Sequence, residues 1–254
     1  KLTVTDMIYV DTNGTYITTP TLEEDLKENK AQINITTDIV NESGAEKDIT
    51  LNTKILDADG NTVAENTDAV FNQIITINNP KLWSVDSPYL YTAESNVIVD
   101  GNIVDTYKTT FGLRYTKFDA NEGFSLNGEY MKLKGVCLHH DLGALGAAEN
   151  TRAIERQLDM MKDMGVNAIR SSHNPASKTM VELCNQKGLM LIEEAFDMWS
   201  MRKTNYDYAG AGYFKLYAED DAKKMVERDK NDPCVIMWSI GNEITWAEDN
   251  LESA

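Results

Sequence analysis

The sequence predicts a multidomain chain of β plus α/β class: an immunoglobulin-like β-sandwich over residues 1–116, followed over 117–254 by the first four βα units of a TIM (β/α)8 barrel. Three observations predict it. Apolar and polar residues alternate at period two in the first part, the mark of strands with one buried face. After Phe118 strand-like and helix-like segments alternate instead, which is the pattern of a parallel sheet with helical crossovers. Finally, the strands of the second part are apolar almost throughout, as in Val235-Ile236-Met237-Trp238, the composition of strands covered on both faces.

In the first part Ile33, Ile35 and Ile39 lie in a Thr-rich extended run, and Ile49, Leu51, Thr53 and Ile55 alternate with Thr50, Asn52 and Lys54. Turn residues separate the runs at Asn13-Gly14, at Asn41 to Gly44, at Asp57 to Gly60 and at Asp100-Gly101, a spacing that suits a small sandwich. Asn127-Gly128 is the dipeptide favoured by a tight hairpin. Strands are then expected over 131–138, 165–170, 188–192 and 235–240, with helices over 151–164, 177–187 and 214–230. Ile154, Leu158 and Met161 recur on one helix face after a cap at Asn150 or Thr151, and Gly165 closes that helix. Ser177 caps the second helix, whose Val181 and Cys184 face inward before Gly188. In the third, Phe214, Tyr217, Ala218, Ala222, Met225 and Val226 form one apolar stripe, and Asn231-Asp232-Pro233 ends it. Four strands are half of the eight that a barrel requires. A doubly wound open sheet is the alternative, but no strand is followed by a glycine-rich phosphate loop.

Composition narrows the function. A formal charge of -17, from 24 basic and 41 acidic residues, argues against nucleic acid or an anionic membrane as partner. Cys137, Cys184 and Cys234 are too few and too scattered for a disulfide framework and are read as small buried apolar residues. No apolar run reaches the roughly 18 residues of a membrane span. A chain that begins at Lys1 rather than Met is expected to have lost a leader or a domain upstream, so cytoplasm and periplasm are both compatible, as is a homo-oligomer.

In a β/α barrel the active site lies at the C-terminal ends of the strands. All four strands here end in polar clusters: His139-His140-Asp141, Arg170-Ser171-Ser172-His173-Asn174, Glu193-Glu194-Ala195-Phe196-Asp197 and Gly241-Asn242-Glu243. All three histidines of the chain fall among them. Adjacent histidines on an extended strand face opposite ways, and no H-x-H or H-E-x-x-H pair is present, so no metal site is assigned. No cofactor is expected; a carboxylate-held magnesium is the alternative. Carboxylates beside neutral hydrogen-bonding groups suit glycoside cleavage, with Glu243 supplying a carboxylate and Asn242 an amide. Trp199, Trp238 and Trp246 are candidates for a flat surface beneath a sugar ring, Trp238 being read as core because its strand is apolar.

Read to this point, the chain resembles glycoside hydrolase family 2, the family of the large β-galactosidases, β-mannosidases and β-glucuronidases. The resemblance rests on Phe111-Gly-Leu-Arg114, Leu133-Lys-Gly-Val-Cys-Leu-His-His-Asp141, Asn167-Ala-Ile-Arg-Ser-Ser-His-Asn-Pro175, Glu194-Ala-Phe-Asp-Met-Trp199 and Met237-Trp-Ser-Ile-Gly-Asn-Glu243, in family order. It implies a retaining exo-β-glycosidase in which Glu243 is the general acid/base and Asn242 hydrogen-bonds the sugar 2-hydroxyl. It further implies that Arg170 orients the nucleophile, that His139 and His173 hold the substrate, that Glu194 supports Arg170, and that Asp197 and Trp199 lie at the pocket rim. The nucleophilic glutamate follows the seventh strand in that family, and is expected beyond Ala254. The magnesium-binding glutamate of some galactosidases aligns with Met198 here. The expected ligand is an oligosaccharide or β-glycoside. A terminal β-galactoside is favoured because His139-His140-Asp141-Leu-Gly-Ala-Leu-Gly146 resembles the galactosidase branch; a β-mannoside or β-glucuronide is the nearest rival. A non-catalytic carbohydrate-binding or interaction module is the alternative from another class.

Overall fold

The computed structural model describes residues 2–66, 71–199 and 212–244. The chain divides into two compact units, Lys1–Met131 with Lys230–Pro233, and Lys132–Asp229 with Cys234–Ala254.

The first unit is an immunoglobulin-like sandwich. One sheet has the order β1 (Ile8–Thr18), β2 (Lys30–Asn41), β5 (Asn72–Asn78); the other has β4 (Thr62–Asn66), β3 (Ile49–Leu56), β6 (Tyr91–Val99), β7 (Asn102–Phe111). All their pairings are antiparallel. Alternation places Ile33 and Ile35 of β2, Ile55 of β3, Ile75 and Ile77 of β5 and Tyr91 of β6 in a common core, because successive side chains point to opposite faces of a pleated strand. Thr37 is buried between Ile35 and Ile39 and keeps the alternation going. A short helix α1 (Leu22–Asp25) drops Leu22 into the same core.

Four of the expected turns form where the residues suggest, the one after β2 through Asn41 Oδ1, which accepts from the Ser43 N–H (3.0 Å). Asp100 and Gly101, at φ 52 and 78°, join β6 to β7, and Asn127 and Gly128, at φ 53 and 85°, join β9 (Gly123–Leu126) to β10 (Glu129–Tyr130); two successive left-handed residues give the twist a two-residue hairpin needs. Asp57 Oδ1 accepts from the N–H groups of Asp59 (3.0 Å) and Asn61 (2.8 Å), fixing the β3–β4 turn. Asn13-Gly14 is different: it is a bulge inside β1, where pairing with β2 shifts between Val10 and Thr15. Pairing on both sides of the dipeptide outweighs its local turn preference, and β9 pairs with β10 and with β8 (Thr116–Asp119) as a small separate sheet. Residues 230–233 close this unit, with Asn231 accepting from the Ile17 N–H (2.9 Å) and donating to the Thr15 carbonyl (2.7 Å), and Arg114 Nε donating to the Pro233 carbonyl (3.0 Å). Gly112 allows this, since a Cβ there would lie 2.7 Å from Pro233 Cγ.

The second unit is part of a β/α barrel. Its parallel sheet has the order β11 (Gly135–Leu138), β12 (Ala168–Ser171), β13 (Met190–Glu194), β14 (Val235–Ser239). The strands are linked by α2 (Thr151–Asp163), α3 (Lys178–Lys187) and α4 (Phe214–Asp229). Asn150 caps α2 through the Ala153 N–H (3.0 Å) and Ser177 caps α3 through the Met180 N–H (3.2 Å), satisfying donors that a helix start leaves unpaired. Gly165 and Gly188 end these helices at φ 84 and 68°. Ile154 and Leu158 of α2 and Val181 and Cys184 of α3 are buried.

Three expectations from the sequence are corrected here. Cys184 and Cys234 are buried but Cys137 is exposed, on the sheet face it shares with Arg170. The stripe on α4 buries Met225 alone of its apolar residues, leaving Tyr217 and Val226 exposed. Trp238 is 37% exposed rather than core, lining an open groove with Trp199 and α4.

Candidate active site

The carboxyl ends of the four parallel strands bring the expected polar residues together, and strand geometry sorts them. Consecutive residues alternate in direction, so Glu193 and Glu194 part company at the end of β13. Glu193 turns to the helix side, where its Oε1 accepts from the Ala176 N–H (2.8 Å) and from Arg228 (3.4 Å). Glu194 turns to the face it shares with Arg170 and Ser239.

Glu194 is the centre of the site. Fully buried, at 0% exposure, its Oε2 accepts from Arg170 Nη2 (2.6 Å), Arg170 Nε (2.8 Å) and Ser239 Oγ (2.7 Å), while Oε1 meets His173 Nδ1 at 2.6 Å. Burial pushes the Glu194 pKa up, but the hydrogen bonds from Ser239, His173 and Arg170 outweigh it and hold the carboxyl below the ordinary glutamate value. It is therefore an anion at neutral pH, and a carboxylate only accepts hydrogen bonds. His173 must then donate through Nδ1, which leaves Nε2 as an acceptor in the neutral ring. The His173 ring stands edge-to-face with that of His139, centroids 5.1 Å apart. The main chain is tied in as well, with the Glu194 N–H donating to Ser171 Oγ (2.9 Å) and the Ala195 N–H to the Ser239 carbonyl (2.9 Å).

The turn after β14 carries Asn242 and Glu243. Arg170 Nη2 donates to Asn242 Oδ1 (3.0 Å), Asn242 Nδ2 donates to Asp197 Oδ1 (3.1 Å), and the Asn242 N–H donates to the Phe196 carbonyl (3.0 Å). Side chains from β12, from β13 and from the turns after β12, β13 and β14 thus form one continuous chain, His173–Glu194–Arg170–Asn242–Asp197. Glu243 follows directly, exposed, with its backbone at φ 39°. Gly241 makes the close approach possible, since a Cβ there would lie 2.8 Å from Ile244 Cδ1 and 3.0 Å from Trp199 Nε1.

Beside this chain lies a cleft of about 950 Å³ whose lining includes His139, His140, His173, Asp197 and Met198. Trp199 is not brought to it. Its indole N–H donates to the Ile240 carbonyl (2.9 Å), its ring stacks with Phe214, and it lines a separate, largely apolar groove with Trp238 and α4. This placement supports the Gly241 to Glu243 turn from below. Trp246 lies outside the described residues. Among the described residues no three of His, Cys, Asp and Glu converge as a metal site.

The sequence places Ser171 in a polar strand end without a role and leaves Ser239 unmarked, yet these two hydroxyls hold the Glu194 backbone and carboxylate. A signal was present for Ser239: a polar residue in an otherwise apolar strand, two positions from Met237 and hence on the same face.

A parallel barrel segment preceded by an immunoglobulin-like sandwich, with an Asn-Glu pair after its fourth strand, defines a class of glycoside hydrolases, and the chain belongs to glycosyl hydrolases family 2. Residues 15–114 match that family and residues 120–252 match its TIM barrel domain. Over 252 residues the chain is 44% identical to the β-galactosidase BoGH2A of Bacteroides ovatus, an alignment covering 96% of this chain and 29% of that protein. A putative β-glucuronidase of Formosa agariphila is 34% identical over 247 residues, 96% of this chain and 23% of that protein. Among solved structures, a β-glycosidase from Bacteroides vulgatus superposes with a TM-score of 0.88 at 33% identity, covering 98% of this chain and 31% of that one. A family 2 member from Bacteroides cellulosilyticus gives 0.87 at 39%, covering 95% and 32%. The chain therefore spans under a third of the length of these relatives.

Proposed function

We propose that the protein carrying this chain is a retaining exo-β-glycosidase that removes terminal β-galactosyl residues in carbohydrate metabolism. Its double displacement uses Glu243 as general acid/base. The observation that carries this reading is the Asn242–Glu243 turn, where an amide fixed by Arg170 sits beside an exposed carboxylate at a strand end. Asn242 would grip the sugar 2-hydroxyl, while His173 Nε2 and His139 would take other hydroxyls. Retaining cleavage needs two carboxyl groups about 5–5.5 Å apart. Glu194 is engaged by Arg170, Ser239 and His173, and Asp197 by Asn242, so neither is suited to attack an anomeric carbon. The nucleophile is assigned to a later strand of the barrel, with Arg170 orienting it, and no cofactor enters the reaction. Galactoside is preferred because BoGH2A is named a β-galactosidase; a β-glucuronide is the second reading, from the name of the Formosa agariphila relative.

The test is Glu243→Ala in the full-length protein. Loss of general acid catalysis should lower the rate on alkyl galactosides by roughly 10²–10⁴-fold. Formation of the glycosyl-enzyme from a dinitrophenyl galactoside, whose leaving group needs no proton, should survive. Azide should then restore turnover and give the β-galactosyl azide. An α-azide would make Glu243 the nucleophile, and no response to azide would make it structural. A panel of nitrophenyl galactoside, glucuronide and mannoside decides the sugar.

A further inference from the structure

Asn242 is held from opposite sides by opposite charges: its oxygen faces the Arg170 guanidinium at 3.0 Å and its nitrogen faces the Asp197 carboxylate at 3.1 Å. Only one orientation of the carboxamide satisfies both. A flipped amide would set its NH₂ group against a cation and its oxygen against an anion. The backbone on either side is fixed too, because the Asn242 N–H is bonded to Phe196, the residue before Asp197. An asparagine side chain has two N–H donors, and one of them is used on Asp197.

We propose that Asp197 is a positioning residue that acts through Asn242, fixing its carboxamide so that the second N–H serves the sugar 2-hydroxyl. This goes beyond the place at the pocket rim that the resemblance implies for Asp197, and it rests on the role of Asn242 given above. Both side chains are only half-buried, so without the carboxylate the amide can exchange its partners with water and lose its fixed geometry. Misplacement of a reacting or binding group by about 1 Å can cost on the order of 10²-fold in rate.

The experiment compares Asp197→Ala, Asp197→Asn, Asn242→Ala and the double alanine variant of the full-length enzyme on nitrophenyl β-galactoside and its 2-deoxy counterpart, with thermal unfolding as a check on folding. Asp197→Ala should lower kcat/KM by about 10–100-fold on the parent substrate and by less than about threefold on the 2-deoxy sugar. The double variant should be no slower than Asn242→Ala alone, as expected of residues acting as a unit. Asp197→Asn, whose side-chain oxygen still accepts from Asn242, should keep most of the activity. If Asp197→Ala does not fold, Asp197→Ser, too short to reach Asn242, takes its place with the same expectations. Multiplicative losses in the double variant, or an equal loss on the 2-deoxy substrate, would overturn the proposal. If Asn242→Ala is itself silent on both sugars, the reading of Asn242 fails and this proposal with it. An active Asn242 combined with a silent Asp197 sinks the proposal alone.

Discussion

Replacing Glu194 with Gln keeps the shape of the side chain and removes its charge, so the loss reports what the anion contributes. Four donors converge on this carboxylate: Nε and Nη2 of Arg170, Ser239 Oγ and His173 Nδ1. The amide oxygen of Gln can replace Oε2 toward Arg170 and Ser239, which places its NH₂ against His173 Nδ1. His173 then has to change tautomer so that Nδ1 accepts. Hydrogen bonds to charged groups contribute about 1.5–3 kcal/mol and neutral ones about 0.5–1.5. Neutralising the acceptor of three bonds therefore costs roughly 3 kcal/mol, at the lower edge of the 3–5 kcal/mol for breaking a buried pair, as suits an arginine that keeps some water. At about 2–4 °C per kcal/mol for a domain of 150–250 residues, calorimetry of the full-length protein should show the barrel transition lowered by about 6–12 °C at pH 7. The pH dependence supplies a second check. Because the Glu194 pKa is held below the ordinary value of 4.5 in the folded state, its contribution is complete above that value and is lost as pH falls through the lower folded one. The gap between wild type and variant should thus close in acid. A shift below about 2 °C at pH 7, or a gap that persists below the folded pKa, would refute the reasoning.

One further substitution and one chemical treatment test the surroundings. Gly241→Ala puts a Cβ 2.8 Å from Ile244 Cδ1, a side-chain end that can rotate away, and 3.0 Å from Trp199 Nε1, so kcat/KM should fall by roughly tenfold at most, well short of the roughly 10²-fold of a 1 Å misplacement; a loss of that full size would show that the turn is displaced as a whole. Burial pushes the Cys184 thiol up to about 12, so at pH 8 it is almost wholly protonated and unreactive. Ellman's reagent should modify Cys184 only after denaturation, and rapid labelling in the native protein would contradict its buried place on α3.

Much of this architecture is local and therefore legible in the sequence. Period-two alternation places Ile33, Ile35, Leu51 and Ile55 on one face of their strands whatever surrounds them, and the caps at Asn150 and Ser177 are contacts over three residues that any chain with those side chains can make. The positions of His139, Arg170, Glu194 and Asn242 at strand ends follow from the strand limits alone. What the sequence could not decide are features set by partners distant along the chain. Asn13-Gly14 has the composition of a turn and becomes a bulge because β2 pairs on both sides of it. Trp238 has the composition of core and instead lines an open groove, because α4 covers its face of β14 only in part. The sequence by itself determined the two-part fold and the set of polar residues that meet, since both depend on periodicity and strand ends. Only the tertiary structure decided their wiring, in which Glu194 rather than Glu193 faces Arg170, Ser239 joins them and Asp197 turns to Asn242, because those bonds span 24 to 72 residues of chain and depend on which strand lies beside which.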